Sequence, residues 1–180
     1  MSSPKFQSYK GIFPTVGEGC YIHPAATVIG EVTLGDNVSI WPGVVIRGDV
    51  NRIVVGNNTN IQDLSMLHVT HRRPEDPEGA PVIIGNNVTV GHSVVLHGCT
   101  IGDECLIGIG TIILDRAVIE PQVMIGAGSL VSPGKVLKSG YLYMGRPAKE
   151  VRPLTPEEIA NFTYSAQHYC RLKDQYLTEE

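Results

Sequence analysis

Three histidines, His68, His92 and His97, stand near Arg47, Asp49, Gln62 and Asp63 in a chain otherwise rich in aliphatic residues and glycine. Neutral imidazole is a common metal ligand, and three of them leave a zinc ion its full charge and an open position for water. Water held there ionises at about pH 7, so such a set can supply hydroxide for attack on a carbonyl carbon. The same side chains can also form an interfacial hydrogen-bonding cluster without metal. Which chemistry applies depends on where the surrounding elements point them.

Those elements are announced by a six-residue period. Ile22, Val28, Leu34, Ile40 and Ile46 are followed by Val55, Ile61 and Leu67, then by Ile84, Val90 and Leu96. A gapless run of Ile101, Ile107, Ile113, Ile119, Ile125, Val131 and Leu137 completes the series, and Gly often comes next, as at Gly35, Gly56, Gly85 and Gly102. A period of six fits neither an amphipathic helix nor a simple alternating strand. It fits short strands separated by corners, three to a coil, each with one aliphatic turned inward. The predicted fold is a left-handed parallel β-helix, a solenoid in which each coil buries its core against the next. Eighteen inward positions correspond to about six coils.

The period also assigns sides. Ile46, Leu67 and Leu96 fall on one side of consecutive coils, so the residues after them, Arg47, His68 and His97, stack in one outward column. Neighbouring strands lie ~4.8 Å apart. Two nitrogens on one zinc lie roughly 3.4 Å apart, so a small lean brings His68 and His97 to a common ion. His92 follows Val90 by two residues and Asp63 follows Ile61 by two, which forms a second column at a corner. A ligand on that corner reaches the first column most easily from another subunit. Three parallel solenoids around a threefold axis would build three identical shared sites.

Breaks in the period mark the remaining features. Three extra residues fall around Asp49-Val50-Asn51-Arg52, and a longer excursion runs from His71 through Arg72, Arg73, Pro74, Glu75, Asp76, Pro77 and Glu78 to Gly79. Its prolines, glycine and charges predict a surface loop. After Leu137 the chain leaves through Tyr141 to Lys149. Thr155-Pro156-Glu157-Glu158 predicts a helix start with a capping box, and Ile159, Phe162, Ala166, Tyr169 and Tyr176 mark its packing face. The expected organisation is a β-helix over 1–150, with an N-terminal lead-in and a long loop near 68–83. A helical segment over 151–180 packs on it.

At 180 residues and 42% hydrophobic content, the chain is large enough for one well-buried core. A net charge of −4 without a basic run points away from nucleic acid and anionic lipid. There is no apolar stretch for a membrane span, and Met1-Ser2-Ser3-Pro4-Lys5 does not read as a signal peptide. Cys20, Cys99, Cys105 and Cys170 form no Cys-x-x-Cys pair and read as small hydrophobes in or near the core. A reducing cytoplasm is the expected compartment.

The set Arg47-Gly48-Asp49, Asn60-Ile61-Gln62-Asp63, His68, Gly91-His92, His97 and Gly145-Arg146-Pro147-Ala148-Lys149 resembles the γ-class carbonic anhydrase-like hexapeptide-repeat proteins. The resemblance covers nearly the whole chain and is closest to the YrdA-like bacterial members with a C-terminal helix. It implies a homotrimer with zinc, or alternatively ferrous iron, at each interface. His68 and His97 would come from one subunit and His92 from its neighbour. It further implies that Arg47 and Asp49 form an interfacial ion pair, that Asp63 joins that network, and that Gln62 hydrogen-bonds hydroxide or bicarbonate. The implied reaction is reversible hydration of CO2 to bicarbonate. The chain departs from the family prototype where that protein has two glutamates. Here Val50 and, by spacing, His71 take those places. His71 could exchange protons in their stead, since free imidazole titrates near neutrality, with a slow or lost reaction as the other expectation.

Other classes stay open. A hexapeptide-repeat acyltransferase would use a loop histidine such as His71 as general base, and would have no need of the histidine triad. Metal-assisted hydrolysis of a thioester or another small carbonyl substrate would use the same hydroxide. A non-catalytic, metal-stabilised trimer would use the triad for assembly alone.

Overall fold

The structure, a computed structural model, describes residues 5–179; Met1-Ser2-Ser3-Pro4, read above as no signal peptide, lies outside them. The chain winds into a parallel β-solenoid of about eight turns, consistent with the left-handed β-helix that the repeat predicts, and ends in one helix. It is longer than the eighteen aliphatics suggest because both ends are extended. Lys5–Gln7 pairs with Thr27–Ile29 and Thr15–Val16 with Thr33–Leu34. At the other end Tyr141–Gly145 pairs with Met124–Ile125 and turns back as Ala148–Pro153 in an antiparallel hairpin.

Each coil has three faces. The first carries Met66–His68, Val95–His97, Ile112–Ile113 and Leu130–Val131; the second carries Val82–Ile84, Thr100–Ile101, Val118–Ile119 and Val136–Leu137. The extra residues around Asp49 let the eleven-residue strand Val45–Val55 run round the corner between these faces, so both join in one 12-stranded sheet. The third face, from Tyr21–Ile22 through Asn60–Ile61 and Thr89–Val90 to Tyr141–Gly145, belongs to a separate 8-stranded sheet. Ile46, Leu67, Leu96, Ile61, Val90 and Ile113 point inward and are wholly buried. Burying each such side chain stabilises the fold by about 1.5–3 kcal/mol.

The glycines after the aliphatics have a mechanical reason. The Asn57 Oδ1 accepts from the Asp36 N–H at 2.8 Å, and the Asn86 Oδ1 accepts from the Asn57 N–H at 2.8 Å. The Asp103 Oδ1 continues the ladder to the Asn86 N–H at 2.7 Å. A Cβ on Gly35 or Gly85 would lie 2.3 Å from the Asn57 or Asp103 carboxamide or carboxylate oxygen. Only glycine leaves room for this stitching between coils. The residues that follow, Asn37, Asn58 and Asn87, take the left-handed conformation that turns the corner, which asparagine tolerates well.

Helix α1, Pro156–Glu179, opens with the expected capping box. The Glu158 N–H donates to Thr155 Oγ1 at 3.2 Å and the Thr155 N–H to Glu158 Oε2 at 2.9 Å. Phe162 and Ala166 are buried, as is Lys173, whose ammonium pairs with Asp174. The helix lies along the third face, where Tyr169 and Tyr176 meet the Trp41 ring at 5.7 and 5.2 Å. Cys99 and Cys105 are buried thiols, and Cys20 and Cys170 are half-buried.

Candidate metal centre

Strand register does the first part of the positioning. Leu96 pairs with Leu67 and His97 with His68, while Ile46 pairs with Leu67 one coil earlier. With their neighbours buried, the two histidines project outward from the end of the first face. His68 Nδ1 lies 3.1 Å from His97 Nε2, close to the roughly 3.4 Å between two nitrogens of one tetrahedral zinc shell.

The other nitrogen of each ring is held by a carboxylate. His68 Nε2 is 3.1 Å from Asp49 Oδ1, and His97 Nδ1 is 2.6 Å from Asp115 Oδ1. His92 follows the same rule, with Nδ1 2.9 Å from Asp63 Oδ2. An ionised carboxylate accepts only, so each of these nitrogens carries the ring proton, and in neutral imidazoles the opposite nitrogens carry lone pairs. The facing nitrogens of His68 and His97 are then two acceptors in contact, an arrangement that a cation satisfies. Carboxylate–histidine pairing of this kind fixes tautomer and ring orientation at metal sites.

Electrostatics agree with that assignment. Burial raises the Asp49 carboxyl's affinity for protons, but hydrogen bonds from Arg47 and His68 outweigh it and hold the group below its usual range. Burial pulls His68 below the ordinary histidine value, with the Asp49 hydrogen bond only partly opposing it. Arg47 donates to Asp49 within the same chain. Asp63 Oδ2 faces His92 Nδ1.

Gln62 is 5% exposed, and its Nε2 donates to Asn60 Oδ1 at 3.0 Å. Asn60 Nδ2 in turn donates to Thr89 Oγ1 at 3.2 Å, which lies 3.0 Å from Ser165 Oγ on α1. The Gln62 amide is therefore oriented by a buried chain of hydrogen bonds. His71 is exposed at the start of the long loop, whose neck is closed by paired bonds between Thr70 and Ala80. Tyr143 is buried at the end of the core, and its hydroxyl accepts from the Lys138 N–H at 2.9 Å.

The corner column also has its expected register, since the Ser93 N–H donates to the Asp63 carbonyl at 2.9 Å. His92 and His97, however, are five residues apart along one face. At about 3.3 Å per residue they stand at its opposite edges, up to about 16 Å apart. Accordingly, among the described residues no three His, Cys, Asp or Glu side chains of one chain gather into a metal-ready group. Asp115 was not anticipated by the sequence reading. Its signal was present in the same count, because it follows the inward Ile113 by two residues, one coil beyond His97.

A family model described as bacterial transferase hexapeptide (six repeats) matches residues 13–48. Protein YrdA of Escherichia coli K12 is 54% identical over 177 residues, 98% of this chain and 96% of that protein. Gamma carbonic anhydrase 2, a mitochondrial protein of Arabidopsis thaliana, is 45% identical over 166 residues, 92% of this chain and 59% of that protein. A putative acetyltransferase of Bacillus cereus has a crystal structure that superposes with a TM-score of 0.92 at 38% identity, covering 99% of this chain and 100% of that one. No helix among the described residues is long and apolar enough to cross a membrane.

Proposed function

This chain belongs to the hexapeptide-repeat family, with relatives among the YrdA and γ-class carbonic anhydrase proteins, and from that premise we propose a metal-dependent, carbonic anhydrase-like protein. Its reaction is the reversible hydration of CO2 to bicarbonate at the interfaces of a cytoplasmic homotrimer. The observation that carries this reading is the His68–His97 pair. Two lone-pair nitrogens 3.1 Å apart, each backed by a carboxylate on the far side of its ring, fit zinc or ferrous iron in spacing and donor type. His92, held by Asp63 on the opposite edge of the face, is the third ligand, offered to a neighbouring subunit.

Zinc held by these histidines would supply a Lewis acid that brings the ionisation of water to about pH 7. The chain's own residues do the rest. Asp49, Asp63 and Asp115 each fix the tautomer of the ring they hold, with the proton on Nε2 in His68 and on Nδ1 in His92 and His97. Gln62, its NH2 committed to Asn60, keeps a carbonyl oxygen that would accept from a hydroxyl or bicarbonate proton. Arg47 keeps Asp49 ionised while Asp49 holds His68. His71, exposed in the loop, passes protons to solvent.

The test is metal content of protein purified without added metal or chelator, followed by stopped-flow CO2 hydration of the zinc and ferrous forms. Metal near one per chain with measurable hydration is expected, and His92→Ala is expected to lose most of the metal. Full occupancy in His92→Ala would sink the shared site. Metal without hydration would redirect the site to thioesters or other carbonyl substrates. The Bacillus cereus relative's description as a putative acetyltransferase favours acyl transfer as a second reading. An empty site that cannot be reloaded, together with acyl-CoA turnover lost in His71→Ala, would establish that reading instead.

A further inference from the structure

Asp115 has two oxygens with two different duties. Oδ1 meets His97 Nδ1 at 2.6 Å, and Oδ2 accepts from Thr70 Oγ1 at 3.1 Å. Thr70 closes the neck of the long loop, where its N–H donates to the Ala80 carbonyl at 2.9 Å and its carbonyl accepts from the Ala80 N–H at 3.1 Å. The next residue, Arg116, pairs with Asp76 near the loop's tip. One dipeptide thus clasps the loop at neck and tip while its carboxylate holds a candidate metal ligand.

The corner after His97 is built to admit that carboxylate. Gly98 has a φ of +55°, and a Cβ there would lie 2.3 Å from Asp115 Oδ1 and 2.8 Å from Ala80 Cβ. The Arg116 N–H donates to the Gly98 carbonyl at 2.6 Å, which brings the Asp115 backbone in close. Any side chain at position 98 would push the carboxylate off His97.

We propose that Asp115 is a positioning residue that fixes which nitrogen His97 presents and couples occupation of that nitrogen to the seating of the 71–79 loop. This rests on the metal reading above. A cation on His97 Nε2 makes the Nδ1–H a stronger donor and draws Asp115 into a charge-assisted bond. The second oxygen of the same carboxylate is then held more firmly against Thr70, immediately before His71. Metal binding and loop order share one side chain.

The experiment uses the assembled full-length protein and zinc alone as ligand. Zinc affinity is read by competition with a chromophoric chelator, and amide exchange of the 70–80 segment is followed with and without zinc. In the wild type, zinc is expected to slow exchange at the neck. Asp115→Ala is expected to weaken zinc about 10- to 100-fold and to abolish the zinc-dependent protection. Asp115→Asn, which can still accept from His97 and donate to Thr70, is expected to recover the protection and part of the affinity. Should Asp115→Ala fail to fold, Thr70→Val separates the two duties, losing the zinc-dependent protection while zinc affinity falls only by the factor by which zinc slowed exchange in the wild type. Wild-type affinity in Asp115→Ala, or zinc-dependent protection persisting in Thr70→Val, would overturn the coupling while leaving the metal site intact. A wild type that takes up no zinc would overturn the metal reading, and this inference with it.

Discussion

The chain has six histidines, and the three in the predicted columns are the ones paired with aspartates. His23 Nδ1 instead accepts from the Ala25 N–H at 3.0 Å, and His168 stacks on Tyr164. Residue type alone does not separate these groups. Position against the repeat does, because it decides which rings stand one coil from a carboxylate. Asn51 shows the same dependence for structure. It is 2% exposed, and its Nδ2 donates to the Thr70 carbonyl at 3.0 Å and the Glu78 carbonyl at 2.8 Å. Asn51→Ala leaves both carbonyls without this donor, and a loss of about 1–3 kcal/mol is expected by denaturant unfolding. Faster proteolytic nicking within the loop should accompany it.

Helix α1 owes its start to groups whose ionisation can be followed. The Arg152 hydrogen bonds, then the Thr155 N–H, hold Glu158 down to about 2 from 4.5. A depressed carboxylate stabilises the folded state fully above its unfolded value and loses that contribution as pH falls through its folded value. The gap in melting temperature between wild type and Glu158→Gln should therefore be constant above 4.5 and close as pH falls toward about 2. A gap unchanged across that window would show that the cap contributes by geometry alone. The strands have no comparable local control. Most of the inner ones are two or three residues long and exist because the next coil completes their hydrogen bonds.

Across the whole molecule, apolar side chains remain exposed beside the His92 corner. Leu64 is 68% exposed and Ile109 is 55% exposed. Leu64 also sits at a φ of +62°, where a bulky residue is unfavourable, while Gly43 and Gly110 occupy equivalent corners. An exposed leucine held in that conformation next to Asp63 and His92 is what a subunit contact would cover. On the proposed shared-site trimer, Leu64→Glu is expected to shift the mass in light scattering toward monomer and to lower the bound zinc. An unchanged mass would place the subunit interface elsewhere.

The inward aliphatics, the three faces, the two histidine columns and the helix cap could be read from the chain because a solenoid is nearly one-dimensional. Counting along it is equivalent to measuring across it, and register follows from the period. The hairpin Tyr141–Pro153 broke that period and was not foreseen, and neither was Lys173 on the buried side of the helix. Asp115 obeyed the period, but its role depended on a bare corner at Gly98 and a loop neck brought back against it. Those are contacts between segments 18 and 45 residues apart in sequence, closed by side-chain direction and available space. The sequence determined which residues share a face and that His92 stands apart from the His68–His97 column; only the tertiary structure decided that each candidate ligand is gripped by a carboxylate.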